Sequence, residues 1–378
     1  MKPTLPYKRI LDWAEYLSFC PSSTQHRNPL NIEIHSTSKK NSHGDVQRKV
    51  IRGAEMRDAV VCRVDRRQCK GNFIMMAMLL MTMLLMSVPQ LVMAQPTEPT
   101  GIGFSAISIQ KWEMGLEISS PGKVSGITAV FPIPIDWPEQ KIKLLAESKT
   151  KNVTRVTTKF LGKDKSCKVA LVTVPVLFPG DVARATFLFE IQKSHITEPT
   201  DTSNFRFSKS ANRKQRSYLG VSPFIDTNHP RIKDLSKKIG DSEVEAWLQT
   251  REVFDWVRAN IEYEFDEKIK TSLTALEKRK GDCEELSSIF IAVCRGKGIP
   301  ARAVWIPGHT YPEFFLEDQQ GGGHWFPCQI AGGNDDFGRM PEDRPILQKG
   351  DRFKVPGHQE MQRYARPTLS ARSASASP

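Results

Sequence analysis

The stretch GDCEELSSIFIAVCRGKGIPAR, residues 281–302, constrains this 378-residue chain more than any other. Leu286, Ile289, Phe290 and Val293 recur at the steps that place apolar side chains on one face of a helix. Asp282 precedes that helix and Glu285 follows three places on, the spacing at which two side chains satisfy orphan amides reciprocally. Gly296 and Gly298 end the helix, and Pro300 keeps it from resuming. Ala301–Ile306 then reads as a buried strand. Cys283 therefore sits in the first turn of an anchored helix, where the terminal amides favour a thiolate and its own N–H is ready to donate to an oxyanion. A lone cysteine is more often a small buried hydrophobe. Cys294 fits that description, lying within the helix just before its end. Cys283 does not, because its neighbours are a Gly-Asp turn and acidic residues.

Charge and hydropathy set the first third apart. Residues 1–72 carry 14 Lys+Arg against 7 Asp+Glu, so +7 of the chain's formal +12 lies in this leader. What remains is too mild to argue for nucleic acid, and no basic stripe interleaved with aromatics supports such a partner. The leader shows no sustained periodicity through residue 55 and receives no fold. An apolar run, FIMMAMLLMTMLLM, occupies residues 73–86 behind the basic Arg66-Arg67-Gln68-Cys69-Lys70, with Val92 and Ala94 placed for a cut after Ala94. Residues 73–94 read as a signal peptide, with a short membrane anchor as the alternative, and the chain as exported. The long leader fits either an overextended start, with Met56 as an internal candidate, or a basic cytoplasmic tail. Of the seven cysteines, only Cys167, Cys283, Cys294 and Cys328 follow residue 94, and none has metal-ligand spacing.

Beyond QPTEPT (95–100), residues 101–193 suggest short strands at 103–109, 123–131, 153–160, 168–174 and 183–191, separated by Gly, Pro, Asn and Lys-rich turns. Their spacing suggests an all-β, immunoglobulin-like sandwich. Phe131–Pro138 is too rich in proline for a central strand. Residues 194–241 read as a polar linker. Helical periodicity begins at Ser242, and Thr271–Lys280 suggests a second short helix. The core domain takes 242–350 and a tail 351–378, of which LSARSASASP (369–378) is low-complexity.

Three motifs in order resemble the transglutaminase-like superfamily over about residues 243–331. They are Gly281-Asp282-Cys283 with Arg295–Arg302; then His309-Thr310-Tyr311-Pro312-Glu313; then Gly323-His324-Trp325-Phe326-Pro327. The resemblance implies a papain-like α+β fold, with Cys at a helix start facing His on a sheet, and acyl transfer on amides. It makes Cys283 the nucleophile and His309 its base, with His324 the competitor. Where the family places Asp after the Trp strand, this chain has Gln329. The orienting group is then a neutral amide, with Asp335 and Asp336 as substitutes. Trp256 and Tyr263 are candidates for a second oxyanion donor.

The expected activity is that of a cysteine-dependent amide hydrolase or acyltransferase on proteins or peptides, with no cofactor and no metal. A metal site of His309, His324 and Cys328 lacks recognised spacing. The competing function is a fold that has lost catalysis and serves as a binding or structural module.

Overall fold

The computed structural model describes residues 61–65, 102–162, 164–208, 213–240 and 244–374. The apolar run at 73–94 and nearly all of the 1–72 leader lie outside these residues. Among the described residues, no helix is long and apolar enough to cross a membrane. The strands are β1 (Val61–Asp65), β2 (Gly103–Ser119), β3 (Val124–Ile133), β4 (Gln140–Lys149), β5 (Arg155–Leu161), β6 (Cys167–Leu177) and β7 (Val182–Thr197). The helical half follows: α1 (Arg213–Arg216), α2 (Pro230–Lys238), α3 (Ala246–Asn260), β8 (Glu262–Tyr263), α4 (Ser272–Lys278), β9 (Lys280–Gly281) and α5 (Cys283–Gly296). The chain then runs through β10 (Ala301–Ile306), β11 (His309–Glu317), β12 (Gly323–Pro327), β13 (Gln348–Lys349), β14 (Thr368–Ser370) and β15 (Ser373–Ala374). This is a mixed α/β structure, 42% strand and 18% helix, so the sheets rather than the helices frame it.

One sheet has the order β1-β2-β7-β4. The other runs β12-β11-β10-β13-β6-β3-β14, with β5 also on β6 and β15 on β3. Trp112, Met114, Phe187 and Phe189 on the first sheet close over Phe131, Val172 and Val174 on the second, forming one apolar layer. Phe131 and Phe187 meet there with ring centroids 6.0 Å apart. Two sheets thus face each other across 101–193, but the second is not confined to that segment. Gln348 in β13 pairs with Cys167 in β6 on one side, and β13 pairs with β10 on the other. The arrangement therefore departs from the self-contained immunoglobulin-like sandwich suggested by strand spacing. β4 has no counterpart in the sequence reading. It is an edge strand, exposed at most positions, so its side chains carry no in-out alternation.

The core half packs α2, α3 and α4 around α5, with β10 and β11 beneath α5. Every residue of α5 from Cys283 to Arg295 is buried. Gly298, at φ +83°, supplies the left-handed turn after the helix at no steric cost.

Two segment assignments need correction. Residues 194–241 are not a bare connector. Ile196 pairs its backbone with Met340, Arg206 pairs with Glu317, and Phe205 is buried with its ring 4.8 Å from that of Phe326. Phe205 stands among polar neighbours, so it has no period to betray it. Nor are residues 351–374 a loose tail. Phe353, Val355 and Ala365 pack on Val130, Leu161 and Val169, and β14 pairs with β3. Their apolar side chains are spaced irregularly because they serve a loop, closed by the Phe353–Gln362 backbone pair. Phe353→Ala should lower the free energy of unfolding by about 3–5 kcal/mol, measured by urea denaturation. A change below about 1 kcal/mol would mean that the segment does behave as a tail.

Candidate active site

The capping pattern read at 282–285 is present as a complete box. The Asp282 carboxylate accepts from the Glu284 N–H at 2.7 Å, and the Asp282 N–H donates to Glu285 Oε2 at 2.9 Å. Glu285 also accepts the Lys270 N–H through Oε1, at 2.7 Å. Gly281 is needed beside it, because a Cβ there would stand 2.4 Å from Glu285 Cβ. Cys283 opens the helix and is 3% exposed. Ser287 Oγ donates to the Cys283 carbonyl at 2.6 Å.

His309 opens β11, with its backbone opposite Ile306 of β10. Its Nε2 lies 2.8 Å from Gln329 Oε1. With an amide oxygen as partner, Nε2 carries the proton and donates, which leaves the Nδ1 lone pair for another group. Burial, the largest influence, pulls the His309 pKa below its ordinary value; the Gln329 hydrogen bond pushes it back up. The charge of Arg344 adds to the lowering, and Glu342 opposes it. Neither residue was singled out from sequence. They form a two-point pair at 2.9 and 2.6 Å, and Arg344 Nη1 donates to the Pro307 carbonyl at 3.0 Å, just ahead of His309. The only signal was two opposite charges two residues apart, a pattern common on any surface.

The other candidates are engaged elsewhere. His324 Nε2 lies 2.8 Å from Asp318, in the turn joining β11 to β12. It pairs with Leu316, at the opposite end of β11 from His309. Those two positions are seven steps apart along the strand, roughly 23 Å. Asp335 binds Arg251 at 2.7 Å and Asp336 binds Arg339 at 2.7 Å. Asp336 touches Gln329 through its backbone, accepting the Gln329 N–H at 2.7 Å. Cys294 and Cys328 are fully buried, and burial drives both thiols well above their ordinary pKa. Among the described residues, no group of three or more His, Cys, Asp or Glu side chains is placed to hold a metal ion.

The end of α3 and β8 tie the two halves of the site together. Arg258, in the last turn of α3, donates to the Gln329 carbonyl at 3.0 Å. Tyr263, five residues on, pairs with Gly281 in β9. Burial, reinforced by Cys283, Asp282 and Glu285, pushes its phenol up to about 12, so Tyr263 stays a proton donor close to the thiol. Trp256 faces the guanidinium of Arg279 instead, 5.2 Å from its ring centroid. A cavity of about 250 Å³ lies beside Gln329, walled by Asn334, Asp336, Met340 and Glu342.

Residues 233–330 match the transglutaminase-like superfamily. That span holds Cys283, His309 and Gln329. No curated protein matches. Among solved structures, the chain is similar to a candidate cysteine protease from Cytophaga hutchinsonii, at 13% identity and TM-score 0.49, over 73% of this chain and 95% of that one. It is also similar to the periplasmic domain of TgpA from Pseudomonas aeruginosa, bound to ethylmercury, at 12% identity and TM-score 0.30, over 61% and 74% of the two chains. A candidate protease from Parabacteroides distasonis follows at 9% identity and TM-score 0.23, over 63% and 72%. The family assignment rests on the sequence match.

The Arg302-Glu313 part of the transglutaminase-like pattern has a structural use. Arg302 Nε donates to Glu313 at 2.9 Å and lies over the Trp325 ring at 4.0 Å, while Glu313 also binds Lys349 at 2.5 Å.

Asp282 carries a further consequence. Burial, with the Glu285 hydrogen bond and the nearby carboxyls, raises its pKa to about 8 in the folded chain. The folded state then holds a proton that the unfolded state releases near pH 4, so this residue's contribution to stability is lost as pH rises from about 4 to 8. Asp282→Asn keeps a capping oxygen without the charge. Its melting temperature relative to the parent should rise between pH 5 and pH 8; a constant difference would show that Asp282 is ionised throughout.

Proposed function

We propose that this chain is an exported thiol enzyme that acts on amide bonds of proteins or peptides through a Cys283 acyl-enzyme. The observation that carries the reading is the 2.8 Å pair of His309 Nε2 and Gln329 Oε1 within the transglutaminase-like span. A proton held on Nε2 leaves Nδ1 basic, the tautomer a thiol partner requires. Cys283 gives its proton to His309, and the thiolate attacks the carbonyl carbon of the amide. The Cys283 N–H and the Tyr263 hydroxyl donate to the oxyanion. His309 returns the proton to the departing amine as the C–N bond breaks, leaving a thioester. Water then attacks, giving up its proton through His309, and the products are a carboxylic acid and the restored thiol. A primary amine in place of water gives a new amide. Water is always available, so hydrolysis is the default outcome.

Gln329 supports this cycle as a neutral orienter. It fixes the imidazole tautomer but stabilises the imidazolium less than a carboxylate does. A second reading has its own support: Cys283 is 3% exposed, as a retired thiol in a binding module would be. Incubating the full chain with peptide mixtures, with and without a primary amine, separates the readings by mass spectrometry. Cleavage, deamidation or amine incorporation that disappears in Cys283→Ala supports the enzyme; unchanged peptides support the binding module, and activity retained in Cys283→Ala removes Cys283 from the mechanism.

The lowered His309 pKa sets a direction for the pH profile. His309 must be neutral to accept a proton, so the acid limb should lie below the ordinary histidine value of about 6.5. Gln329→Ala removes a group that supports the protonated ring and should move the limb lower. Gln329→Glu should move it above the parent. An acid limb that ignores both substitutions would detach Gln329 from His309.

A further inference from the structure

The carboxyl end of the chain returns to α5 at both ends. At the far end, Asp351 takes two hydrogen bonds from Arg295 Nη2, at 3.0 and 2.7 Å, with both side chains almost fully buried. At the near end, Arg363 Nη2 donates to the Glu284 carbonyl and to Ser288 Oγ, each at 2.8 Å. Its Nη1 lies 3.2 Å from the Glu284 carboxylate, and both side chains are 3% exposed. Trp305 and Phe224 face the guanidinium at 5.2 and 5.7 Å. Two residues later, the Ala365 backbone exchanges hydrogen bonds with the Gln348 side chain, which fixes the arginine's point of departure from β13. Glu284 is the residue after Cys283, and Ser288 Oγ closes the same turn by donating to the Glu284 carbonyl at 2.8 Å.

We propose that Arg363 is a positioning residue for Cys283: its guanidinium, delivered by segment 351–365, holds the first turn of α5 through Glu284 and Ser288. The inference rests on the reading of Cys283 as a nucleophile, since the amides of that turn are what favour a thiolate there. The fork shape of the guanidinium matters, because two donors are needed to hold a carbonyl and a hydroxyl from one atom while a third faces the carboxylate. It also sets a cation among the acidic groups around the thiol: Asp282, Glu284 and Glu285 on the helix, with the Tyr263 hydroxyl opposite. Burial raises the Glu284 pKa, while Arg363 opposes that rise.

The test compares Arg363→Met and Arg363→Lys with Val355→Ala in the full chain. Val355 belongs to the same segment but packs on Val130 and Val169, away from α5. Two readouts are taken on folded protein: hydrogen exchange of the Glu284–Ser288 amides, and the pH midpoint of Cys283 alkylation by iodoacetamide, located by peptide mass spectrometry. Arg363→Met is expected to speed exchange of those amides by about tenfold, the scale of one hydrogen bond to a charged group. It should also move the alkylation midpoint up toward the ordinary thiol value of about 8.5. Arg363→Lys should recover part of both changes, and Val355→Ala should leave both as in the parent. Exchange in Arg363→Met no faster than in Val355→Ala, or a midpoint that does not move, would overturn the proposal. If Arg363→Met does not fold, Arg363→Lys against Val355→Ala decides it by the same two readouts. A parent whose Cys283 already titrates like a free thiol sinks the nucleophile reading instead, and amide exchange alone then decides whether Arg363 holds the turn.

Discussion

A helix with no exposed face must find a partner for every charge it carries, and α5 is such a helix. Its first turns hold Asp282, Glu284, Glu285, Ser287 and Ser288, and its end holds Arg295, all buried. Asp282, Ser287 and Ser288 are met within the first turns themselves, and the others reach different parts of the chain. Glu285 takes an amide from Lys270 ahead of α4, Glu284 faces Arg363, and Arg295 gathers the carbonyls of Gly220 and Ala301 as well as Asp351. Leaving any one unmet would cost more than the hydrogen bond itself contributes, because a buried charge without a partner keeps its full desolvation penalty. The irregular segments 218–225, 264–271 and 350–365 are thereby held against one helix, and Cys283 is placed by all of them.

The same rule explains why the β-rich half and the helical half share one sheet. Glu139, before β4, and Glu313, on β11, both bind Lys349 of β13, at 2.6 and 2.5 Å. Arg302 on β10 binds Glu313 in turn. β13 is only two residues long, too short to bridge β6 and β10 by backbone pairing alone. A buried ion network needs its partners in one geometry, so it serves here as a register device between the halves. Glu313 thus belongs to the architecture, although it stands four residues from the candidate base.

At the candidate site, burial acts in opposite directions on the two kinds of group. It lowers the pKa of His309 and raises that of Asp282, so both neutral forms are favoured. A neutral orienting amide such as Gln329 is consistent with that environment, whereas a carboxylate there would need a further cation.

Local chemistry wrote much of this into the sequence. The capped helix of 283–296, its glycine end and the strand after Pro300 follow from spacing and side-chain chemistry, which act between residues a few places apart. The resemblance to the transglutaminase-like superfamily, which matches over 233–330, made Cys283 and His309 candidates without any coordinates, with Gln329 standing where the family places Asp. What spacing could not reveal depends on contacts between distant residues. The exposed edge strand β4 has no alternation to read, and Phe205 lies in a polar stretch without a helical or strand period. Segment 351–374, with its irregular apolar residues, resembles a tail until Phe353 and Arg363 are seen in place. The closeness of Tyr263 to Cys283, the flanking of His309 by Glu342 and Arg344, and the hold of Arg363 on Glu284 were decided by tertiary structure alone. A buried polar group takes whichever partner the packed chain brings within about 3 Å, and no periodicity records that choice.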